Sequence, residues 1–572
     1  MTPLQRSTAI ILALLLAFIY LTRLGQPGFL APGEGRYAEG AQAMLLTGDW
    51  VVPRVNGQVH LEKPPLLYWL AAASFSVFGV SEASARLVPA LCSLLAAFIL
   101  FLLGGRLYGE KAGWLAFFIL LTGLTWSVYG RFLTTDIPAI AFLTTALWAY
   151  WRARETGARR YLLAFSGALA AGVLTRGLLA LVFPVILIVA FSLIRRQWKP
   201  RDPAGWLWAA LLFAALTVPW HAAVEMRIPG FLHHYFIENH LARFLGKYPP
   251  PGTISLSLWK FWLASLAGLL PWTFFLPAVI AETWRSVRRE KALSDADLFS
   301  LLWIGSVLIF VSVSEARLER YFLPAFPGFA LWVGGRLSQF AGEDASSGAS
   351  RARIAAAAAI VVTGLGLAWV PLWPRAPEFI PQGKGVLSLL PWIGSVLTLG
   401  GVFAMRALMR GRPLAAAFGV VWGTMFAVLG AQQAVARLDP FLSMRQVSGV
   451  LLARDGIQER VIVDGYYEIH EGMDAYSGRS LYEGLEFYSG RKATVMRTGL
   501  GKNEWRIRWD AAYHPHIEPY EFEKLWARGG PAVFITRWGA TARQLIFHYP
   551  ERTRVIAIYD SAWVLANHNG EN

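Results

Sequence analysis

Long apolar runs separated by short polar segments make up most of this sequence. A run of about 17–22 apolar residues can cross a bilayer as a helix, and we count about thirteen such runs. The pattern predicts a mainly α-helical polytopic membrane protein. The predicted spans lie near residues 8–24, 86–105, 112–129, 136–153, 160–175, 177–194, 204–222, 260–281, 297–314, 321–338, 353–374, 386–407 and 413–432.

Two longer polar segments interrupt the spans, at residues 25–85 and 223–259, and we interpret both as loops on the outer face. The first loop contains two stretches, Tyr37 to Leu46 and Pro65 to Val80, that are too short to be good spans. Both are predicted to be helices lying in the membrane interface.

The tail after the last span has a different pattern. Short β-branched and aromatic runs occur at Arg460 to Asp464, Ala532 to Thr536 and Arg554 to Tyr559, with helical and turn-rich stretches between them. We therefore predict a transmembrane domain over residues 1–432 and a small α/β domain over residues 433–572.

Basic residues are concentrated in alternate short loops, for example at Arg152 to Arg160 and at Arg285 to Lys291. Cytoplasmic loops carry such an excess. The distribution predicts a cytoplasmic N-terminus and, with an odd number of spans, a C-terminal domain on the outer side.

The composition agrees with a membrane protein, because 55% of the residues are hydrophobic and only 16% are charged. The formal net charge of +16 could indicate nucleic-acid binding, but the cations lie in short loops between apolar runs. We therefore expect no nucleic-acid partner. Cys92 is the single cysteine, so no intrachain disulfide can form.

Ionisable residues that border a membrane are candidates for function. The first loop holds Glu34-Gly-Arg36-Tyr37 and then Glu62-Lys63, although snorkelling alone would explain Lys63. Arg131 and Asp136 flank the start of the fourth span, where they either anchor a helix end as an ion pair or contribute to a site. Arg176 is an outer cation suited to binding a phosphate.

Two further outer segments carry polar groups. Residues 230–244 contain three histidines and a glutamate without a recognised metal-ligand spacing, and Arg317 to Pro324 adds cations and a phenol. Charges at the ends of spans favour an enzyme that acts on a lipid-linked substrate. A transporter would place its charges near the bilayer midplane, and a structural or receptor-like protein would leave the charged first loop unexplained.

The first loop resembles that of the aminoarabinose–lipid A transferases, which are grouped with protein O-mannosyltransferases among the membrane glycosyltransferases of GT-C fold. The resemblance rests on Glu34 to Glu39, Gly48 to Gly57 and Glu62 to Trp69. It continues over most of the chain, in Ser84 to Leu87, Arg131 to Asp136, Leu174 to Gly177, Glu238 to Phe244, Leu318 to Pro324 and Phe487 to Arg491.

The resemblance implies an inverting transfer of a sugar from a polyprenyl-phosphate donor to a lipid A-like or other envelope acceptor. The reaction would take place at the periplasmic face of the bacterial inner membrane, in a monomer. Two alternatives stay open: a protein O-glycosyltransferase of the same fold, and a lipid-linked sugar transporter or inactive binding protein.

By match to the family, four cations and two tyrosines would bind the donor phosphate: Arg36, Lys63, Arg176, Arg243, Tyr37 and Tyr321. Glu62 and His240 match positions that can bind a divalent metal in some members, zinc or magnesium. Two protein ligands alone make a weak metal site.

One position departs from the family pattern. The family has an acidic pair whose Asp is given the role of base, and here Gly33 replaces that Asp beside Glu34. Three interpretations follow: Glu34 is the base, with Asp136 as second candidate; the acceptor is already ionised and needs orientation more than deprotonation; or the chain binds without catalysis.

Overall fold

The structure is a computed structural model of the 572-residue chain. It describes residues 1–30, 33–196, 202–247, 255–315, 317–339, 348–373, 384–439, 443–454, 459–466, 484–498, 516–517, 519–529, 531–536, 539–559 and 562–567.

The chain forms two compact units. The first comprises Met1–Leu24, Arg86–Tyr248 and Ser255–Val435, and the second includes Gly25–Ala85 and Ala436–Asn572. The first long loop, residues 25–85, therefore packs with the C-terminal part of the chain. The predicted domain division, residues 1–432 and 433–572, stays a prediction.

Helices account for most of the first unit, with α4 beginning in the second unit. They are α1 (Pro3–Leu21), α4 (Glu82–Leu107), α5 (Glu110–Thr122), α6 (Leu124–Tyr129), α7 (Asp136–Thr156), α8 (Arg159–Arg176), α9 (Leu179–Ile194), α10 (Pro203–Arg227), α11 (Leu258–Gly268), α12 (Leu276–Glu290), α13 (Asp295–Val313), α14 (Phe326–Gln339), α15 (Gly348–Trp369), α16 (Lys384–Leu387), α17 (Leu390–Met409) and α18 (Pro413–Arg437). A π-helical segment covers His233–Ala242, and 3₁₀ turns cover Trp272–Phe275, Glu319–Ala325 and Val370–Leu372.

A helix, or two helices in succession, lies over each predicted span, which confirms the mainly α-helical class. Within the described residues, seven helices are long and apolar enough to cross a membrane, or eight if one bent pair counts as a span. The number thirteen is not confirmed by this criterion and stays a prediction.

The predicted span at 260–281 is not one straight helix. Leu258–Gly268 and Trp272–Glu290 are helical, and their axes are bent by 97° at the break between them. Pro271 lies at this break; proline lacks the N–H that continues a helix, and it disfavours helical geometry in the residue before it.

In the second unit, the first loop folds as two helices joined through a hairpin. Helices α2 (Glu34–Thr47) and α3 (Leu66–Phe78) confirm the two predicted short helices. Between them, β1 (Arg54–Val55) pairs antiparallel with β2 (Gln58–Val59). Helices α2 and α3 approach closely at Gly40, where an added Cβ would lie 2.6 Å from Cε1 of Tyr68.

The C-terminal chain of this unit is an α/β structure, as predicted. Its strands are β3 (Arg460–Tyr466), β4 (Ala493–Thr498), β5 (His516–Ile517), β6 (Ala532–Thr536), β7 (Arg554–Ile558) and β8 (Trp563–Ala566). Its helices are α19 (Arg445–Ala453), α20 (Leu485–Ser489), α21 (Pro519–Arg528) and α22 (Gly539–His548).

The six strands form one sheet in the order β5-β4-β3-β6-β8-β7. The pairs from β5 to β6 are parallel, and β8 runs antiparallel to β6 and β7. Alternate side chains of β6 enter two different apolar clusters, Val533 and Ile535 in one and Phe534 in the other. The sheet is therefore packed on both faces.

Candidate active site

In the first unit, the candidate site is built around the carboxylate of Asp136. This residue begins α7 and is 3% exposed. It forms an ion pair with Nη1 of Arg176, and its Oδ2 lies 3.9 Å from Nε of Arg320. Two cations from different chain segments thus surround one buried carboxylate.

Arg176 ends α8, and three groups fix its guanidinium. Besides the ion pair with Asp136, Nη1 lies 3.3 Å from the hydroxyl of Thr135. The guanidinium carbon lies 6.0 Å from the centre of the Tyr321 ring. The sequence-predicted residues Asp136, Arg176 and Tyr321 therefore lie together, with Arg320 added by the structure.

Arg131 does not form the ion pair with Asp136 that the sequence suggested as one possibility. Its guanidinium donates to the carbonyl of Thr22, and Arg131 is 8% exposed. The carboxylate of Asp136 is engaged by Arg176 and Arg320. Asp136 is therefore paired with arginines distant in sequence, and of the two interpretations these contacts favour a contribution to a site over an ion pair with Arg131.

The corner between α8 and α9 is closed by two aromatic rings. Gly177 has φ +86°, and a Cβ there would lie 2.5 Å from Oη of Tyr235 and 2.6 Å from Nε2 of His240. Nδ1 of His240 lies 2.6 Å from the carbonyl of Tyr235, which places a proton on Nδ1. Among the described residues, Oη of the buried Tyr235 has no hydrogen-bond partner, and burial raises the pKa of this phenol.

Arg243 follows the π-helical segment directly. Its Nε is buried and makes no hydrogen bond within the described part of the chain. Nearby, the carbonyl of Phe244 accepts from the N–H of Glu315 at 3.3 Å, which joins this segment to the chain after α13. The role of Arg243 as a phosphate ligand stays a prediction.

In the second unit, Arg36 is the centre of the predicted cluster. Its Nη1 lies 3.9 Å from Oε2 of Glu62, and its guanidinium carbon lies 5.6 Å from the centre of the Tyr37 ring. Tyr37 is buried and packs against Tyr68, with 5.8 Å between ring centres. The structure therefore brings Arg36, Tyr37 and Glu62 together within this unit.

Glu34 and Gly33 have structural roles at the start of α2. Oε2 of Glu34 accepts a hydrogen bond of 3.0 Å from the N–H of Leu30, and Glu34 is only 2% exposed. Gly33 has φ +129°, a conformation that residues with a side chain rarely adopt. The backbone conformation at position 33 therefore favours glycine over the aspartate of the family pattern.

Lys63 lies just before α3, in the bend between β2 and α3. Pro64 and Pro65 follow it, and their fixed φ angles restrict the backbone at the start of α3. This placement agrees with a cation held in a defined position. Its proposed role in phosphate binding stays a prediction.

The described residues do not form a convincing metal site. No group of three or more His, Cys, Asp or Glu side chains in this part of the chain could hold a metal ion. Of the two predicted ligands, Glu62 has Arg36 nearby, and Nδ1 of His240 lies 2.6 Å from the carbonyl of Tyr235. Metal binding by these two residues stays a prediction.

Sequence reasoning singled out neither Arg320 nor Tyr235 as a site residue. Arg320 directly precedes Tyr321, which was predicted as a site residue. The position of Arg320 near the site could therefore have been inferred from the sequence. Tyr235 lay among the histidines of the second loop, and its closeness to Gly177 depends on tertiary packing.

Comparison with known proteins agrees with these features. A family model described as dolichyl-phosphate-mannose-protein mannosyltransferase matches residues 62–222. An undecaprenyl phosphate-alpha-4-amino-4-deoxy-L-arabinose arabinosyl transferase of Shewanella sediminis is 32% identical over 56% of this chain and 58% of its own length. A protein of the same description from Aeromonas hydrophila is 28% identical over 78% of this chain and 82% of its own length.

A solved structure extends the similarity to almost the whole chain. The crystal structure of ArnT from Cupriavidus metallidurans bound to undecaprenyl phosphate superposes with a TM-score of 0.78, covering 98% of each chain at 22% identity. The chain is therefore a multi-pass membrane protein of GT-C fold. In sequence it is similar to the undecaprenyl phosphate-aminoarabinose arabinosyl transferases and, over residues 62–222, to the mannosyltransferase family model.

Proposed function

We propose that this protein is an inverting glycosyltransferase that moves a 4-amino-4-deoxy-arabinose-type sugar from undecaprenyl phosphate to a lipid A-like acceptor. The names of the related transferases support the donor. The protein would act as a monomer in the bacterial inner membrane, with a cytoplasmic N-terminus and a periplasmic C-terminal domain.

The observation that carries the proposal is the pair of arginines around Asp136. As the bond between the sugar and the phosphate breaks, negative charge builds on the leaving phosphate, and fixed cations stabilise that charge. A guanidinium has five N–H donors, and the contacts of Arg176 described above use its Nη1. The remaining donors suit a phosphate oxygen, with Tyr321 alongside.

The carboxylates of both candidate bases already interact with neighbouring groups. Glu34 is buried and accepts from the backbone of Leu30, whereas Asp136 is held by two arginines. Both contacts favour a structural carboxylate over one that takes a proton from an incoming acceptor. We therefore favour an acceptor oxygen that is already ionised, such as that of a phosphate, which attacks the face of the sugar opposite the leaving group.

The second candidate function is protein O-glycosylation. The description of the family model that matches residues 62–222 favours it. A hydroxyl acceptor would need a base, however, and Gly33 cannot supply one. A protein acceptor is therefore the less favoured alternative.

The direct test is transfer of labelled sugar from the undecaprenyl-phosphate donor by the purified protein in lipid, with lipid A as acceptor. We expect mass spectrometry to show lipid A modified at a phosphate. Modified protein with unmodified lipid A would support the second function. Bound donor without any product would support an inactive binding protein, and donor moved across vesicles without product would support a transporter.

The arginine cluster is tested by Arg176→Ala, with Arg160→Ala as the matched control near the other end of α8. Arg160 is exposed and lies over the ring of Tyr161, with 5.0 Å from its guanidinium carbon to the ring centre. Loss of one electrostatic group at a developing charge lowers turnover by about 100-fold or more. We expect that loss for Arg176→Ala and wild-type turnover for Arg160→Ala; equal turnover in both would remove the arginine cluster from the reaction.

A further inference from the structure

The first outer loop, residues 25–85, makes side-chain contacts with the C-terminal chain at several points within the second unit. Near its start, the N–H of Gly28 donates to Asp439 at 2.6 Å, and the N–H of Phe29 donates to the hydroxyl of Tyr488 at 2.7 Å. That hydroxyl lies 2.7 Å from Oε1 of Glu82, near the end of the loop. Both ends of the loop are therefore connected to the C-terminal chain.

The tip of the β1–β2 hairpin makes the most specific contact. Nδ2 of Asn56 donates to the carbonyl of Ala493 at 2.8 Å, and the N–H of Ala493 donates to Oδ1 of Asn56 at 2.9 Å. One amide side chain thus satisfies both backbone groups of the first residue of β4. The two residues are 437 positions apart in sequence.

The hairpin turn is shaped to allow this contact. Asn56 has φ +53° and Gly57 has φ +73°, which is the backbone of a tight two-residue hairpin turn that favours Asn-Gly. Burial raises the pKa of the Glu486 carboxyl in α20, and the backbone N–H groups of Asn56 and Gly57 act in the opposite direction. A Cβ on Gly57 would lie 2.7 Å from Nζ of Lys492, so the C-terminal chain also encloses the turn.

A further contact involves the helix that carries Arg36. Oε1 of Glu39, one turn along α2, accepts a hydrogen bond of 3.0 Å from the N–H of Gly484. Glu39 is 5% exposed, so this carboxylate is buried against the C-terminal chain. The contact lies close to Arg36, whereas the hairpin contact lies shortly before Lys63.

We infer that the C-terminal domain holds the first loop in its reactive geometry, with Asn56 and Glu39 as positioning residues for Arg36 and Lys63. This inference rests on the proposed function, because it assumes that Arg36 and Lys63 bind the donor phosphate. The sheet has apolar packing on both faces without these two side chains. Catalysis is sensitive to the placement of charged groups, and a displacement of about 1 Å can lower turnover by about 100-fold.

The experiment compares Asn56→Gly with Asn56→Asp in the full-length protein. Glycine keeps the positive φ of the turn and removes both hydrogen bonds to Ala493, whereas aspartate keeps an acceptor for the N–H of Ala493. Gln544→Ala, which removes an exposed amide from α22, is the matched control. Glu39→Ala and Glu39→Gln form a second pair, in which glutamine keeps the acceptor for Gly484.

Two measurements are made on each variant: sugar transfer, and hydrogen–deuterium exchange in peptides covering residues 54–66. We expect Asn56→Gly and Glu39→Ala to lower turnover by about tenfold to 100-fold, with partial recovery in the conservative variants. Asn56→Gly should also speed exchange in these peptides, and Gln544→Ala should change neither measurement. All variants should keep the elution profile of the folded wild-type protein.

The outcomes separate this inference from the proposed function. Unchanged exchange in Asn56→Gly, or faster exchange with wild-type turnover, would overturn the positioning role. If the wild-type protein neither binds the donor nor transfers sugar, the proposed function fails. The inference about Arg36 and Lys63 then fails with it, while the exchange data still report whether the C-terminal domain orders the loop.

Discussion

At the scale of single residues, Asp136 shows how the environment decides what a carboxylate can do. From the sequence it was a second candidate for the base. In the structure it is buried at the start of α7 between Arg176 and Arg320. An acid between two guanidinium groups is better suited to orient them than to accept a proton, so its most consistent role is to hold the arginine cluster together.

Substitutions at Gly33 test whether an acid at this position would act as the base. A side chain at φ +129° costs about 1–3 kcal/mol of backbone strain, although the nearest atom to an added Cβ, Nη2 of Arg36, is 3.8 Å away. We expect Gly33→Ala and Gly33→Asp to lower thermal stability alike and to lower turnover equally. Turnover in Gly33→Asp well above that of Gly33→Ala would show that an acid here helps deprotonate the acceptor.

At the scale of elements, the α8–α9 corner determines where Arg176 points. Gly177→Ala introduces a methyl group 2.5 Å from Oη of Tyr235 and 2.6 Å from Nε2 of His240, at a φ of +86°. We expect this variant to lose most sugar transfer while remaining in the membrane, because the corner must open and shift Arg176. Transfer is measured at saturating donor and normalised to folded protein.

The matched control for the corner is Gly167→Ala in the same helix. A Cβ on Gly167 meets no atom within 4 Å, and α8 is helical there. Replacing glycine by alanine in a helix stabilises by about 0.5–1 kcal/mol, so we expect wild-type transfer and equal or higher stability. Similar losses in both variants would mean that the corner has no special role.

The helices and several strands could be predicted from the sequence, because the spacing of apolar residues and the length of an apolar run can be read within one segment. The strand at Ala532–Thr536 was predicted with its observed bounds, and the two short helices of the first loop were predicted within a few residues. Strands β1, β2, β4, β5 and β8 were not predicted. Runs of two to four residues, such as β5 and β8, carry little pattern. The bend near Pro271 was missed because the apolar run continues through it.

The candidate site was less accessible to sequence reasoning than the fold. The family resemblance selected Arg36, Arg176 and Tyr321, but it did not show that Asp136 joins Arg176 to Arg320. The contact between Asn56 and Ala493 links residues 437 positions apart. Such contacts depend on how distant segments pack together. The spacing of apolar residues within one segment contains no information about that packing.

At the scale of the whole molecule, orientation in the membrane decides which substrates can reach the site. Basic residues at Arg152 to Arg160 and at Arg285 to Lys291 predict that these loops are cytoplasmic. With an odd number of spans, the same pattern predicts a periplasmic C-terminal domain. Because the first loop packs with that domain in one compact unit, both must lie on the same side.

Reporter fusions test this orientation. Alkaline phosphatase, which folds only in the periplasm, should be active after Asn572 and inactive when inserted after Gly157 between α7 and α8. A cytoplasmic fluorescent protein at the same two positions should give the opposite pattern. An active phosphatase at Gly157 together with an inactive one at Asn572 would invert the topology, and would place the first loop and its candidate phosphate-binding residues in the cytoplasm.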